Sequence, residues 1–287
     1  VAPPPGSRAL RAAVGPGTRL AGRYRLTEPL PPAAGDPDDA ARWLAVDDVL
    51  ARPVEVLLLL AGGRRAAAGR LLLDAAAAAG TVVSPVPAQV YDAAREAVPA
   101  ERHGRAAGEV DVAYVVTEAV RGRRLSELLA ENGPLAPEDA SSVVRRAAEG
   151  LRVAHSRGVA HGGLHPGTLV VTDDAGARLL DTAVGAALDR GQRTAPPDPA
   201  DDVTALVGCL YAALTARWPE REVPAPSGGL PAAPLTGGRD GRTCSPRQVR
   251  AGVPRGIEGV VERGLGAQGF GTAEALLTAL DRAEAVD

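Results

Sequence analysis

The sequence predicts an α+β fold in which a small β-rich half precedes a larger helical half. Two observations carry this. Up to Glu118 the apolar residues gather in short Val- and Leu-rich runs of strand length, interrupted by one helical stretch. Beyond residues 118–122 the apolar spacing changes to i, i+3, i+4. No internal repeat is visible.

Residues 1–18 are rich in Pro, Gly and Ala without periodicity and read as a flexible tail. Strands are expected at 24–26, 43–47 and 54–60, then an alanine-rich helix at about 65–79, then strands at 85–92 and 112–118. In the second half, 125–130 is a short helix and 137–156 a long one, with Val143, Val144, Ala147, Leu151 and Ala154 on one face. Pro137 followed by Glu138 and Asp139 is a good helix start: the missing amide is harmless in the first turn, and the acids meet the positive end of the helix dipole. Residues 159–181 read as a loop and two short strands joined by a hairpin-like turn at Asp173-Asp174-Ala175-Gly176. A strongly apolar helix is expected at 201–215, a mobile Pro/Gly linker at about 219–246, and closing helices at 253–265 and 272–285, the last with Thr272 as N-cap. The expected organisation is therefore a tail, a small lobe at 19–121 and a large lobe at 122–287.

The chain is long enough to bury a real core, and its net charge of −3 gives no pull toward nucleic acid. Its arginines are scattered rather than striped along one face. No apolar run reaches the roughly 18 residues of a membrane span, and the start has no signal-peptide core. Cys209 and Cys244 stand in unrelated contexts and suggest neither a disulfide framework nor a metal site. The expectation is a reduced, cytoplasmic chain with no membrane insertion and no cofactor.

Three stretches share the order and spacing of a known family. Arg23-Tyr24-Arg25-Leu26 opens the domain, and Ser84-Pro85-Val86-Pro87-Ala88-Gln89-Val90-Tyr91-Asp92 resembles a His-Pro-Asn-Ile-Val-x-Val-Tyr-Asp run. Ala154 to His161 leads into Gly162-Gly163-Leu164-His165-Pro166-Gly167-Thr168, at the place of a catalytic loop. Asp202-Val203-Thr204-Ala205-Leu206-Val207-Gly208 resembles the helix that anchors a large lobe. Together these resemble bacterial serine/threonine protein kinases over roughly residues 20–284, and the resemblance implies a bilobal protein-kinase-like fold.

The catalytic positions depart from that pattern. There is no lysine, so all 32 basic residues in the Lys+Arg count are arginine. A GC-rich codon bias explains this at surface positions, but not at the strand position where such enzymes hold the ATP phosphates with a lysine. That position is Leu57, and its helix partner acid is shortened to Asp74. The phosphate-covering loop at 30–43 has one glycine, Gly35, with Pro31, Pro32 and Pro37 removing amide donors and Asp36, Asp38 and Asp39 repelling a triphosphate. Gly163 stands for the catalytic base and Thr168 for the metal-binding asparagine. Asp181 alone survives, and is more simply a turn residue after a strand. The resemblance gives His161 and Asp202 structural roles, packing beneath the loop and bonding its backbone.

Scaffold kept and chemistry lost is the pattern of a pseudokinase. The tighter resemblance is to the actinobacterial pseudokinase domain associated with MurJ/MviN-type lipid II flippases. It implies a regulatory or scaffolding module in peptidoglycan synthesis. Its implied partners are an upstream serine/threonine kinase and a phosphothreonine-reading forkhead-associated domain protein. Candidate phosphosites are Thr194, Thr236, Thr243 and Thr272, with Thr243 favoured for its extended linker. Two other readings stand beside this one. A divergent active serine/threonine or small-molecule (aminoglycoside-type) phosphotransferase binding ATP would need Asp and Asn where Gly163 and Thr168 stand. A metal or acid/base hydrolase would have to use His155, His161 and His165, without a Cys or Glu cluster to complete the site.

Overall fold

A computed structural model describes residue 10 and residues 14–33, 35–102, 105–174, 176–188, 196–237 and 241–284. The chain forms two compact units, one of residues 1–81, 88–119 and 183–194, the other of 82–87, 120–182 and 195–287.

The smaller unit is built on an antiparallel sheet of β1 (Arg19–Leu20), β2 (Tyr24–Leu30), β3 (Ala40–Asp47), β4 (Arg52–Leu60), β5 (Val90–Arg102) and β6 (Arg105–Glu118), in the order β1-β2-β3-β4-β6-β5. β4 is central and buried on both faces, which is why its sequence reads as a nearly unbroken apolar run. Val54, Val56, Leu58 and Leu60 join Tyr24, Trp43 and Tyr114 in one cluster, while Leu57 and Leu59 face the other way. Onto that second face packs α1 (Ala66–Gly80), through Leu72 and Ala76. A Cβ on Gly69 would lie 2.7 Å from that of Ala61, so glycine sets how closely the helix approaches. Of the expected tail, Leu10 and Val14 are buried in the first cluster, because two apolar side chains there cap a sheet face that would otherwise be wet.

The β5–β6 hairpin is much longer than the strands expected at 85–92 and 112–118. Residues 85–87 lie outside it, where Pro87 bridges Leu179 in the larger unit. Arg95 and Asp111, which break the apolar pattern, are an ion pair at 2.8 Å on adjacent strands. The pair is 40% and 41% exposed, and the same strands still bury Val98 and Val112 in the first cluster.

The larger unit holds a small antiparallel sheet of β7 (Arg123–Arg124), β8 (Leu169–Val171) and β9 (Ala177–Leu179). Its helices are α2 (Leu125–Asn132), α3 (Pro137–Ser156), α5 (Pro199–Thr215), α6 (Pro246–Val249), α7 (Arg255–Leu265) and α8 (Ala273–Glu284), while α4 (Val184–Leu188) belongs to the smaller unit. The observed α3 matches the expected helix at both ends. α5 starts where the Asp198 carboxylate accepts the Ala200 amide at 2.9 Å with Pro199 in the first turn, and stops at Ala216, whose φ of 54° is left-handed. Most of α5 is buried and it forms the middle of the core.

The expected mobile linker is instead packed structure over its described residues. Trp218 is fully buried, its Nε1 donates to the Ala225 carbonyl at 3.0 Å, and Val223, Leu230 and Ala233 enter the same core. Gly208 of α5 leaves room for the indole, since a Cβ there would sit 3.0 Å from Cη2 of Trp218. A Pro/Gly-rich composition concealed this because four apolar anchors spaced along a loop have no periodicity to read.

Candidate functional site

In the smaller unit the expected lysine position is apolar in three dimensions as well as in sequence. Leu57 is 5% exposed and sits among Leu59, Leu72, Ala76, Ala113, Val115 and Val184. Asp74 is on the exposed side of α1, away from the Leu72 and Ala76 face. Directly across the sheet from Leu57 in register is Arg42 of β3. Arg42 is buried, and its Nε and Nη2 donate to Oδ2 and Oδ1 of Asp36 at 2.7 and 2.9 Å. The same Oδ2 accepts the Ala33 amide at 2.7 Å. Asp36, expected to act as a free repelling charge, is thus neutralised within the loop. Sequence reasoning missed the pair because an Asp and an Arg six positions apart, one in a loop and one in a strand, have no periodic relation. Asp39 is also paired, with Arg65 at 3.0 Å.

In the larger unit Asp202 organises the loop after α3. Its Oδ2 accepts the His161 amide at 2.6 Å and its Oδ1 accepts the Gly162 amide at 2.7 Å. His155, on the last turn of α3, brings Nε2 to 2.9 Å from the same carboxylate. The His161 ring is fully buried, and among the described residues neither ring nitrogen meets a partner at good hydrogen-bonding geometry. Burial pushes its imidazole below the ordinary value, against the opposing pull of Asp202, so it is held neutral. Gly162 has φ of 71°, a conformation that explains a glycine at this turn.

The far end of the loop is closed by its own side chains. The Thr168 hydroxyl accepts the His165 amide and donates to the His165 carbonyl, both at 3.0 Å. His165 in turn accepts the Gly167 amide at its Nδ1, at 3.0 Å. Gly163 offers no side chain, and the loop carries no carboxylate. Asp181 follows β9 with φ of 58°, a left-handed turn that aspartate tolerates better than most residues. His155 and His161 meet at the Asp202 carboxylate, the first through its ring and the second through its backbone amide, while the His165 ring bonds the Gly167 amide. Among the described residues no three His, Cys, Asp or Glu side chains converge as metal ligands.

The candidate phosphosites differ in surroundings. Thr243 donates its hydroxyl to Glu222 Oε2 at 2.5 Å, while its amide faces Oε1 at 3.4 Å. Thr236 is tied to the backbone of Arg242, donating to its carbonyl at 3.2 Å and accepting its amide at 3.0 Å. Both line a pocket of about 670 Å³ whose floor includes Tyr211 and Val261. Thr272 accepts the Ala275 amide at 3.2 Å, the N-cap expected for α8. Thr194 lies outside the described residues.

No family model matches the chain. Among curated proteins it is 31% identical over 87 residues to a probable serine/threonine-protein kinase PknB of Corynebacterium glutamicum, covering 29% of this chain and 14% of that one. It is 28% identical over 187 residues to the serine/threonine-protein kinase PknH of Mycobacterium tuberculosis, covering 58% of this chain and 28% of that one. The matched region thus spans less than a third of the length of these relatives. Among solved structures, the Mycobacterium tuberculosis PknI kinase domain superposes with a TM-score of 0.65 at 18% identity, over 94% of this chain and 99% of that one. The fold is therefore that of a protein kinase domain, α+β with a β-rich small lobe and a helical large lobe, and the chain is similar in sequence to actinobacterial serine/threonine kinases. Among the described residues no helix is long and apolar enough to cross a membrane.

Proposed function

We propose that this chain is a catalytically inactive protein-kinase-like domain that works as a regulatory, protein-docking module. The observation that carries the proposal is the burial of Leu57 against Leu59, Leu72, Ala113 and Val115 at the strand position where phosphoryl transfer needs a cation, while the cross-strand Arg42 is bonded to Asp36. Catalysis of this reaction is almost entirely positioning and electrostatics. The other losses fall on the same machinery. Gly163 has no carboxylate to orient a hydroxyl, and the Thr168 hydroxyl is spent on His165. One remaining carboxylate, Asp181, cannot hold a metal–nucleotide complex against those losses. The residues that keep the fold, Asp202 with its two amide bonds and the buried His161, are retained.

Within this reading the module docks a partner under the control of an upstream serine/threonine kinase, and a forkhead-associated domain reads the resulting phosphothreonine. The resemblance to flippase-associated pseudokinases is what supports proposing lipid II export as the setting, at the inner face of the membrane through a partner. Incubation with labelled ATP and generic protein substrates tests the core of the proposal. Transfer above an Asp181→Ala control would sink it, and equal background in both supports it.

A further inference from the structure

In the larger unit α7 and α8 pack against each other and leave a surface groove of about 280 Å³ between them. Its floor is apolar, made by the buried side chains of Val260 and Phe270. One guanidinium stands on each helix at its edge, Arg263 on α7 and Arg282 on α8. Both arginines are exposed, and Arg263 is held in place by stacking on Phe270, with Cζ 4.6 Å from the ring centre. The acids close to them in sequence are committed elsewhere. Asp281 and Glu284 pair with Arg145, Glu258 pairs with Arg247, and Glu262 lines the separate pocket beside Thr243.

Two glycines of α7 differ in what they do. Gly264 is required inside the fold, since a Cβ there would sit 2.6 Å from Cγ2 of Val207. Gly259 is not: it is exposed, and nothing lies within 4 Å of where its Cβ would stand. A glycine in mid-helix lowers stability relative to alanine, and among the described residues no neighbour requires it here. Together with Ala279 on the facing helix, Gly259 keeps the groove open to a close approach from outside.

We propose that this groove docks an amphipathic helix of a partner protein, its apolar stripe seated on Val260 and Phe270 and its acidic side chains on Arg263 and Arg282. A groove between two helices receives the side-chain ridge of a third, and small residues at the contact let the backbones come close. Charge sets the sign of the partner. In a chain of net charge −3, this apolar surface is edged by two cations that have no acid of their own among the described residues, so carboxylates match it and a basic helix does not. The assignment rests on the reading of the chain as a docking module, to which it adds the surface and the chemistry of the contact.

The test uses the whole chain and a fluorescein-labelled peptide of about 18 residues, long enough to hold a helix, with leucines at i, i+3, i+4 and i+7 and glutamates flanking them. A second peptide carries lysine at every glutamate position. Anisotropy titration should show saturable binding of the acidic peptide, weakening as salt is raised, and none of the basic one. Arg263→Glu combined with Arg282→Glu should weaken binding about tenfold or more. Gly259→Leu should abolish it by filling the groove, while the melting temperature stays equal or rises, because leucine is the better helix former at an exposed position. Lost binding with kept stability is a result that a merely structural glycine would not give. No binding of the acidic peptide, equal binding of the two peptides, or unchanged binding in both variants overturns the proposal. So do two other occupants: phosphatidylglycerol vesicles that bind the chain where the peptide does not, or a dimer in sedimentation that Gly259→Leu dissolves. Phosphoryl transfer by the unaltered chain would instead sink the inactive-domain reading and leave the peptide result standing, so the two failures are separable.

Discussion

Asp202 holds the backbone amides of His161 and Gly162 with its two carboxylate oxygens, at 2.6 and 2.7 Å, in a site that is 2% exposed. One side chain at the start of α5 therefore fixes the turn into the loop that follows α3. Asp202→Ala should cost about 3 kcal/mol or more, since it removes two charge-assisted bonds and leaves buried donors unmet. His155→Ala should cost less, because it removes one partner of a carboxylate that keeps two others. Denaturant midpoints for both variants check the order, and a loss below that of His155→Ala would contradict the assigned role.

Restoring the expected lysine should fail. Leu57→Lys places an ammonium among Leu59, Leu72, Ala113 and Val115 and beside the Arg42 guanidinium, its cross-strand partner, while Asp74 is exposed. The variant should be less stable by about 3 kcal/mol, while Leu57→Ala should lose about 2–5 kcal/mol through the cavity alone. Neither should acquire a melting-temperature response to Mg·ATP.

Acid should loosen the smaller unit through Asp47. Its carboxyl accepts two Arg23 bonds at 2.8 Å and the amides of Val49 and Leu50, and these hold its pKa at about 2, below the ordinary 3.8. A depressed folded value means that the stabilisation is present above the unfolded value and is lost as pH falls through the folded one. Asp47→Asn should flatten the stability-versus-pH curve between about pH 4 and pH 2. An unchanged curve would show that Arg23 does not act through this carboxylate.

Phosphorylation should avoid Thr243 in the folded state. Its hydroxyl is already bonded to Glu222, and a phosphate there would be forced against that carboxylate. Thr272 is the better site, because at the head of α8 a phosphate meets unsatisfied amides and the positive end of the helix. Mass-spectrometric mapping after treatment with a cognate kinase decides between them, and Thr243 as the dominant site would count against the folded segment described above.

Gly150 of α3 should resist enlargement. A Cβ there would lie 2.4 Å from Cγ1 of Val86, a stiff β-branched side chain with little room to yield. Gly150→Ala should cost about 1–3 kcal/mol despite its better helix propensity, and Val86→Ala in the same chain should recover part of it. Additive losses in the double variant would mean that the two residues do not compete for space.

Elements with a strong local signal were legible in the sequence. The apolar period and the Pro137-Glu138-Asp139 start located α3 at both ends, and the Val/Leu run located the strand that became β4, though not its central place in the sheet. The β5–β6 hairpin was not legible along its length, because Arg95, Glu96 and Asp111 interrupt in sequence the apolar residues, such as Val98 and Val112, that it buries. The segment around Trp218 was hidden for a related reason, its anchors being single side chains spaced by irregular loop. At the candidate site, what was missing could be read directly: Leu57, Gly163 and Thr168 announce their loss by identity. What replaced it could not. Arg42 and Asp36 look like ordinary surface charges until strand register and burial put them together.

The placement of the two tryptophans has a practical consequence. Trp43 is buried in the smaller unit and Trp218 in the larger, and the chain contains no others. Each unit thus carries its own intrinsic fluorophore, shielded from water in the native state. Trp43→Phe leaves an emission spectrum that reports on the larger unit alone, and Trp218→Phe the reverse. Red-shift midpoints of the two variants in urea would then reveal whether the halves melt as one cooperative block or one after the other, without any added dye.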